Sequence, residues 1–391
     1  MDEGMRKGGQ PELSGRAGSL GGPGLAGEAG RARGPGLAGG PGRAGGLGLV
    51  GEQGRAGGLG LAGKRCLLTG ATSGIGLATA LEFARQGANL IIVARDRARG
   101  EEALAAVRAA ALEGGGIGGA SGKAAGGGGR DGGGGDPNSD GRGAAGGGLS
   151  DGGDRLGDGG AASTLELADL SSMRECDALA RRVAAGGGLD VLVNCAGLFA
   201  TRHVSSHEGI ERQFAVNHLA SFVLTGGLLS SLEASGDGRV IVVSSDSHRP
   251  GRIHWADPGM GRFYFGLVAY EQSKLANVLF VKELARRLGP GSAITVFALD
   301  PGLVDTAMGN KAGPSPSSLV WSLRRRAGTP PEVPAAAIAQ LASEPALRGR
   351  SGLYWKDGRE VEPSRRAKDP DGARRLWELS ASLVARALGE G

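Results

Sequence analysis

The chain has 391 residues, 78 of them glycine, and its 45 lysines and arginines against 40 acidic residues give a formal net charge of +5. This mild basicity suits an anionic cofactor or a membrane surface, and we expect no nucleic-acid partner. Three cysteines without paired spacing argue against a disulfide framework and favour a reducing compartment. No secretory pattern or run of 18 apolar residues occurs, so we expect a cytoplasmic or membrane-peripheral protein without a transmembrane helix.

Glycine is concentrated in two segments of the chain. Residues 1–63 contain 24 glycines and residues 114–160 another 24, whereas the remaining 281 residues contain 30. That remainder is long enough for one α/β domain with a sizeable core. We therefore predict a tail over 1–63 and one domain over 64–391 that is interrupted by an insert at 114–160.

The tail is a true repeat. From Gly15 to Gly63 a glycine occupies every third position except at Arg33, and GRAGGLGLVG at 42–51 returns as GRAGGLGLAG at 54–63. A collagen triple helix has the same glycine period but needs roughly 15–20% proline, and this stretch has three prolines. An RGG-type RNA-binding tail would interleave aromatic residues, which are absent here. We interpret the tail as disordered.

The insert at 114–160 has no period, includes GGGGRDGGGGD and is predicted to form a flexible surface loop. Because loop closure becomes only logarithmically costlier with length, such an insert is tolerable between two core elements. Deleting 116–158 and bridging the ends with a short linker should therefore preserve both the melting temperature and the turnover of the full chain. A large loss of either would show that the segment belongs to the folded domain.

The rest of the chain alternates short β-rich runs with amphipathic helical ones. Strands are predicted at 64–70, 89–95, 163–170, 189–197, 238–245 and 292–300, and helices at 74–87, 98–112, 171–185 and near 370–388, with further helices that carry VNHLA and begin at YEQSK. Strands that are apolar throughout are typical of parallel sheets covered on both faces. The alternation predicts a single doubly wound parallel sheet of the Rossmann type.

The stretch TGATSGIG at 69–76 ends the first predicted strand and opens the first helix. Backbone N–H groups at such a helix start can receive a pyrophosphate. Gly70, Gly74 and Gly76 permit the tight turn and a close approach of the phosphate to the backbone. The position of this motif, rather than its glycine content, predicts a dinucleotide-binding turn.

Four further motifs follow predicted elements in order: VNCAG, VNHLA, VVSS and YEQSK. Tyr270 and Lys274 are four positions apart and so share a helix face. A tyrosine that exchanges a proton near neutral pH needs its pKa, about 10, lowered by roughly two to three units, and an adjacent ammonium contributes to that. Taken singly, such a pair is usually a surface pair, and Asn217 is equally explained as a helix-bend or capping residue. Their ordered occurrence favours catalysis.

Together these motifs resemble the short-chain dehydrogenase/reductase superfamily, and YEQSKLANVLF with the late RRLWELS is similar to its retinol-dehydrogenase-like branch. The resemblance covers nearly all of 64–390 apart from the insert. It implies that Tyr270 is the acid/base, that Lys274 also holds the nicotinamide ribose, and that Ser245 hydrogen-bonds the substrate oxygen. Asn217 would support a proton-relay water.

The resemblance also implies a set of cofactor contacts. Asp169 would approach the adenine amino group, although a helix N-cap before SSMREC explains it as well, and the DPGLVDT loop would seat the nicotinamide carboxamide. Besides Tyr270 and Lys274, the implied cofactor residues are Gly70, Ser73, Gly74, Ile75, Gly76, Arg95, Asp169, Leu170, Asn194, Ala196, Gly197, Pro301, Gly302, Val304 and Thr306.

The end of the second predicted strand decides the expected cofactor. An acidic residue about 20 positions after the glycine turn selects NAD in this fold, but here Ala94 occupies that position and Arg95 follows it. A guanidinium can bind a 2′-phosphate through charge-assisted hydrogen bonds, so we expect NADP(H). The alternative is that Arg95 faces solvent beside Asp96 and Arg97.

The substrate region is less clearly marked. An aromatic-rich connection between Ser245 and Tyr270 is predicted to wall the cleft. A second candidate lid, PSPSSLVWSLRRR at 314–326, is equally explained as an ordinary amphipathic helix or as an interfacial membrane contact. The histidines show no ligand spacing, so we expect surface or substrate-region roles without a metal; they are His203, His207, His218, His248 and His254.

The function expected from these features is NADP(H)-dependent interconversion of a hydrophobic aldehyde or ketone and its alcohol, in which the cofactor carries the redox chemistry. The rival hypothesis is a non-catalytic nucleotide-sensing or interaction scaffold on the same fold. The complete set of Asn217, Ser245, Tyr270 and Lys274 disfavours it. A homodimer and peripheral membrane contact are both left open.

Overall fold

The computed structural model describes residues 60–115, 162–304 and 328–389. Over these ranges the strands are β1 (Arg65–Thr69), β2 (Asn89–Ala94), β3 (Thr164–Leu167), β4 (Val191–Asn194), β5 (Gly238–Val243), β6 (Ile294–Asp300), β7 (Leu353–Lys356) and β8 (Arg359–Glu360). The helices of eight or more residues are α1 (Gly74–Arg85), α2 (Arg97–Gly115), α3 (Met173–Ala185), α4 (Arg212–Ala234), α5 (Gly266–Leu288), α6 (Glu332–Ser343) and α7 (Pro370–Leu388).

The described strands form one sheet in the order β3-β2-β1-β4-β5-β6-β7-β8. Pairing is parallel from β3 to β7, and β8 returns antiparallel to β7. Since β1 is hydrogen-bonded to both β2 and β4, the chain winds outward from β1 in two directions. The carboxyl ends of β1 and β4 therefore flank a topological switch point, where open α/β sheets bind their ligands.

Helices cover both faces of the sheet because alternate strand residues face opposite sides. Leu67, Val240 and Val242 belong to an apolar cluster built with α3, α4, α5 and α7. Cys66 and Ile241, from neighbouring positions on the same strands, belong to a second cluster built with α1, α2 and α6. This arrangement confirms the predicted doubly wound parallel sheet.

The structure adds elements that the sequence patterns did not predict. Helix α6 and strands β7 and β8 lie between β6 and α7 and extend the sheet by two strands. Helix α5 begins at Gly266, four residues before the predicted start at Tyr270. Thr306 and the candidate lid at 314–326 lie outside the described residues, as do most of the glycine-rich tail and insert.

Both glycine-rich segments contribute residues to the described domain. Leu61, predicted to lie in the tail, is fully buried, and the Gly63 N–H donates to the Gly87 carbonyl at 3.0 Å. Helix α2 continues through Gly114, where an added Cβ would lie 2.1 Å from the Arg85 carbonyl oxygen. A truncated chain should therefore begin no later than Gly60, and a deletion within the insert should spare Gly114 and Gly115.

Helix α4 is long and apolar enough by length and composition to cross a bilayer, with a mean hydropathy of 1.3 in its most apolar window. Within the domain, however, 67% of that window is buried. Leu224, Leu228 and Leu232 pack into the cluster that contains α3 and α5. Its packing in the core therefore accounts for its apolar character.

Candidate active site

The glycine turn lies at the carboxyl end of β1, packed backbone to backbone on the segment that follows β4. Gly70 has φ 73°, and a Cβ there would lie 2.9 Å from the Ala196 backbone nitrogen. A Cβ on Gly76 would lie 2.2 Å from the Gly70 carbonyl oxygen. The Thr69 hydroxyl accepts hydrogen bonds from the backbone N–H groups of Cys195 and Ala196, each at 3.1 Å. A side chain at Gly70 would therefore push the turn away from the segment after β4, and one at Gly76 would push α1 away from the turn.

The start of α1 fits an anionic ligand. Ser73 is its N-cap with an extended backbone, yet its side chain makes no capping hydrogen bond, and the first turn contains no acidic residue. The first N–H groups of a helix have no partner within the helix, and their partial positive charge attracts phosphate. Gly74, Ile75 and Gly76 form this first turn, so these residues fit the pyrophosphate of a dinucleotide.

Asn217 lies in a π-helical turn, Ala215–Leu219, inside α4. Its side-chain oxygen accepts from the Leu198 N–H at 2.8 Å, and its Nδ2 donates to the Leu198 carbonyl and to Ser273 Oγ, both at 3.0 Å. A second hydrogen bond joins β4 to α4, since Asn194 Nδ2 donates to Thr225 Oγ1 at 3.2 Å. Asn217 thus ties the segment after β4 to α4 and α5, and its π turn agrees with the helix-bend interpretation; π turns recur at functional sites.

Tyr270 and Lys274 lie on one face of α5 beneath the carboxyl ends of β4 and β5. Both are buried, and Lys274 Nζ donates to the Val243 carbonyl at 3.0 Å and lies 5.5 Å from the centre of the Tyr270 ring. A Cβ on Gly197 would lie 3.5 Å from Lys274 Nζ and 3.6 Å from Asn217 Oδ1. The fold therefore brings residues from three motifs, far apart in sequence, around the backbone of Gly197.

Ser245 follows β5 and caps a short 3₁₀ turn, where its Oγ accepts from the Ser247 N–H at 3.2 Å. The same side chain lowers the pKa of Tyr270, which places it next to the tyrosine hydroxyl. Ser245, Tyr270 and Lys274 therefore lie together, as the motif order predicts.

His248 holds the backbone of Ser245 in place. Its Nε2 accepts from the Ser364 N–H at 3.0 Å, so Nδ1 carries the proton and donates to the Ser245 carbonyl at 2.8 Å. Burial lowers the pKa of His248, which keeps the ring neutral. A surface position, one of the two roles expected for the histidines, is wrong for His248 and for His218, since both are fully buried.

Burial is the largest influence on the pKa values of Tyr270 and Lys274. Burial raises the pKa of Tyr270 to about 12, which the hydrogen bond with Ser245 offsets in part and the negative charge of Asp300 increases. Burial lowers the pKa of Lys274 to about 8, and Asp300 acts in the opposite direction. Burial is thus the largest influence on the tyrosine pKa in the chain by itself, and it acts against the lowering that is expected from the neighbouring ammonium.

The loop after β6 follows Asp300, the last residue of the strand, and turns at Gly302, whose φ is 73°. The Gly302 N–H donates to Asp300 Oδ1 at 3.0 Å. Pro301 is half-buried in this turn, and Val304 forms a parallel bridge with Thr329. The segment leaves the sheet at the same edge as Ser245.

A cavity of about 210 Å³ lies beyond the ends of β2 and β3, and its lining includes Arg95, Asp169 and Arg212. Arg212 Nε is buried there and has no hydrogen-bond partner among the described residues. Ala94 is buried, whereas Arg95 is exposed at the cavity. Two guanidinium groups and one carboxylate therefore line a space that suits a phosphate beside a polar ring.

Asp169 does not cap helix α3. The N-cap is Ser172, which accepts from the Glu175 N–H at 3.3 Å. Asp169 Oδ1 instead accepts from the backbone and side chain of Ser171, at 2.9 and 2.8 Å. The capping alternative is wrong, and Asp169 remains at the cavity wall, while Leu170 packs against the core cluster next to α3.

Hydrogen bonds hold the connection between Ser245 and α5 in place. Gln272 Nε2 donates to the Pro258 carbonyl and its Oε1 accepts from the His254 N–H, both at 2.7 Å. Tyr264 donates to Glu211 Oε1 at 3.0 Å. Beside this anchored part, Phe263 and Phe265 are 90% and 71% exposed. The connection thus presents two aromatic rings on the surface next to the start of α5.

Comparisons with known proteins agree with this geometry. The short chain dehydrogenase family model matches residues 64–117 and 155–316. Retinol dehydrogenase 14 of Mus musculus is 37% identical over 328 residues, which cover 82% of this chain and 86% of that protein. Polyprenol dehydrogenase of Mus musculus is 33% identical over 337 residues, which cover 83% and 84%.

A solved structure from Beutenbergia cavernae with bound NADP is 25% identical, has a TM-score of 0.51 and covers 77% of this chain and 98% of its own. The family model matches more than half of this chain, and the relatives extend the match over most of it. The chain is therefore an oxidoreductase that belongs to the short-chain dehydrogenase/reductase superfamily, in its retinol-dehydrogenase-like branch.

Proposed function

We propose that the protein is an NADP(H)-dependent oxidoreductase that interconverts a hydrophobic aldehyde or ketone and its alcohol. The observation that carries the proposal is the approach of Asn217 and Lys274 to Gly197, with Tyr270 beside Lys274 on α5 and Ser245 close enough to lower the tyrosine pKa. A surface pair of tyrosine and lysine would be exposed, whereas here both side chains are buried. Burying a lysine costs free energy, so its presence beside the tyrosine favours a catalytic role.

In this proposal each residue has a separate task. When bound, the nicotinamide cofactor supplies or accepts the hydride. Ser245 orients the substrate oxygen, and Tyr270 gives that oxygen a proton during reduction or takes one during oxidation. Lys274 would hold the nicotinamide ribose. Asn217 fixes the backbone of Leu198 and would support a proton-relay water.

The direction of the tyrosine pKa has a consequence for pH dependence. With its pKa raised to about 12, Tyr270 is protonated at neutral pH in the chain by itself, which suits carbonyl reduction. Alcohol oxidation needs the deprotonated form, so its rate should rise with pH through the pKa that holds in the loaded enzyme. Reduction should stay constant over the same range and fall only above that pKa.

The cavity at Arg95 supports NADP(H) as the cofactor. Arg95 can meet a 2′-phosphate, as can Arg212, whose Nε has no hydrogen-bond partner among the described residues, and Asp169 can accept a hydrogen bond from the adenine amino group. The Beutenbergia cavernae structure with bound NADP adds support from the same fold. Gly70, Ser73 and the first turn of α1 would receive the pyrophosphate, and Pro301 and Gly302 the nicotinamide end.

The substrate class rests on the relatives and on the surface beside the site. The similar proteins are a retinol dehydrogenase and a polyprenol dehydrogenase. Phe263 and Phe265 expose aromatic surface next to the start of the helix that carries Tyr270. We therefore propose a long apolar alcohol or carbonyl compound as substrate.

Purified protein should oxidise NADPH, followed by its absorbance, with at least one member of a panel of retinal, steroid ketones, quinones and medium-chain aldehydes. A variant that lacks residues 1–59 should retain this activity, since the described domain begins at Gly60. Binding of NADPH without turnover of any panel member would instead favour the nucleotide-sensing scaffold.

A further inference from the structure

Lys356 joins two loops of the site. It is the last residue of β7, and its register partner on β6 is Asp300. Lys356 Nζ lies 3.1 Å from Asp300 Oδ2 and donates to Asp246 Oδ2 at 2.5 Å. Asp246 directly follows Ser245, and Asp300 directly precedes the Pro301–Gly302 turn. One ammonium therefore bridges the substrate-side loop and the loop assigned to the nicotinamide.

The bridge is charged and partly shielded from solvent. The side chain of Lys356 is 25% exposed, and that of Asp300 is 1% exposed. Burial lowers the pKa of Lys356, but the hydrogen bonds and charges of Asp246 and Asp300 outweigh it and raise the pKa above its ordinary value. On the outer side, Arg249 Nε donates to Asp246 Oδ1 at 2.7 Å. The lysine is therefore protonated at neutral pH.

Asp300 is the carboxylate that acts on the catalytic pair. Its negative charge raises the pKa of both Tyr270 and Lys274. An uncompensated buried carboxylate would oppose formation of the tyrosinate and would itself be costly. Lys356 supplies the cation that pairs with this carboxylate.

We propose that Lys356 is a positioning residue that locks the Ser245 loop to the Pro301–Gly302 loop and neutralises Asp300 at the carboxyl end of β6. The proposal rests on the proposed function, because it assigns Lys356 a role only through Tyr270 and Ser245. Nothing in the motifs of the chain marks Lys356, which lies in β7, a strand with no predicted counterpart.

The other groups around Tyr270 do not add a negative charge that would raise its pKa. Lys274 lies on the same helix and donates to the Val243 carbonyl. Ser245 is neutral, and His248 behind it is kept neutral by its lowered pKa. Phe199 contacts the tyrosine ring edge-on at 5.8 Å, and Cys195, near Lys274, has a pKa raised by burial to about 11 and is uncharged at neutral pH. Among these groups, Asp300 is the negative charge that raises the pKa of Tyr270, and Lys356 is its partner.

The test is the pH profile of kcat/KM for retinol oxidation with NADP⁺, or for the fastest alcohol of the panel if retinol is not turned over. Lys356→Met should move the apparent pKa of the catalytic base upward by roughly half to one pH unit. Lys356→Arg should restore the wild-type profile, and Asp300→Asn should move it downward. The double variant Lys356→Met with Asp300→Asn should lie closer to the Asp300→Asn profile than to the Lys356→Met profile, since the buried carboxylate that Lys356 offsets is then absent.

Amide hydrogen exchange of the cofactor-free chain provides a second measurement. Lys356→Met should speed exchange in 245–249 and 300–304, while Lys356→Arg should not. Lys368→Met is the matched control, because it removes an exposed lysine paired with Glu362 at 2.7 Å, and it should change neither the profile nor the exchange.

The outcomes separate this inference from the proposed function. An inactive wild type, or an active Tyr270→Phe variant, would overturn the proposed function. An active wild type whose profile is unchanged in Lys356→Met, or changed equally in Lys368→Met, would overturn the role of Lys356. If Lys356→Met does not fold, Asp300→Asn decides: a downward shift supports the role, and an unchanged or upward shift refutes it.

Discussion

Replacing Tyr270 by Phe should lower kcat by about 10²- to 10⁴-fold, the usual contribution of a positioned acid/base. The phenol is the group at this site that can exchange a proton with the substrate oxygen. The phenylalanine ring preserves the edge-on contact with Phe199 and the packing of α5. Affinity for NADPH, measured by fluorescence titration, should change little, because the cofactor contacts assigned to the glycine turn and Arg95 remain.

Tyr264→Phe is a suitable control for that experiment. Tyr264 is also part-buried, but its hydroxyl donates to Glu211 and accepts from Gln213 in the wall of the cleft. Its loss should cost about 1 kcal/mol of stability and leave kcat within about tenfold of wild type. Retention of more than about a tenth of wild-type kcat by Tyr270→Phe would contradict the assignment of the acid/base.

The parallel sheet could be predicted from the sequence because its strands are apolar runs that alternate with helices. The glycine turn was recognisable from its place between a strand and a helix, although glycine is abundant elsewhere in the chain. Tyr270 and Lys274 have a spacing that fixes their common helix face. Each of these inferences depends on local order along the chain, which sequence patterns report directly.

The edge of the sheet at β7 and β8 was missed, although a signal was present. These strands are short, but Asp357 and Gly358 both have positive φ, 50° and 71°, as a two-residue hairpin turn requires. The Asp-Gly pair in LYWKDGRE is the sequence signature of that turn. The position of Lys356 before this turn was therefore predictable as a strand end, but its partners on other strands were not.

Contacts and pKa values in the site depend on burial, which spacing does not report. His248 was expected at the surface or in the substrate region, and it is enclosed and holds the Ser245 carbonyl. Lys274 was expected to lower the pKa of Tyr270, and burial of the tyrosine in the folded chain acts in the opposite direction. In both cases the desolvation of the group is set by residues far away in sequence.

Wild-type protein should bind NADPH more tightly than NADH by at least about tenfold, or about 1.4 kcal/mol. A 2′-phosphate gains charge-assisted hydrogen bonds from Arg95 at the cavity, and NADH has no group to use them. Arg95→Leu should remove most of that preference by weakening NADPH binding, with little effect on NADH. Ala94→Asp combined with Arg95→Leu should move the preference toward NADH, because the new carboxylate can accept from the ribose hydroxyl and repels the phosphate.

The structure indicates that Arg95→Leu is easier to interpret than the double variant. Ala94 is 5% exposed, and its Cβ would lie 2.9 Å from a Cβ on Gly100, so an aspartate there is crowded and the double variant should be less stable than Arg95→Leu. Arg97→Leu is the matched control: Arg97 is an exposed arginine paired with Glu101 at 3.5 Å and is absent from the lining of the cavity. Its ratio of Kd values for the two cofactors should equal that of wild type. Equal affinities of wild type for NADPH and NADH would refute the assignment of Arg95. An equal change of the affinity ratio in the Arg95→Leu and Arg97→Leu variants would also refute it, and would leave the net positive charge of this surface as the explanation.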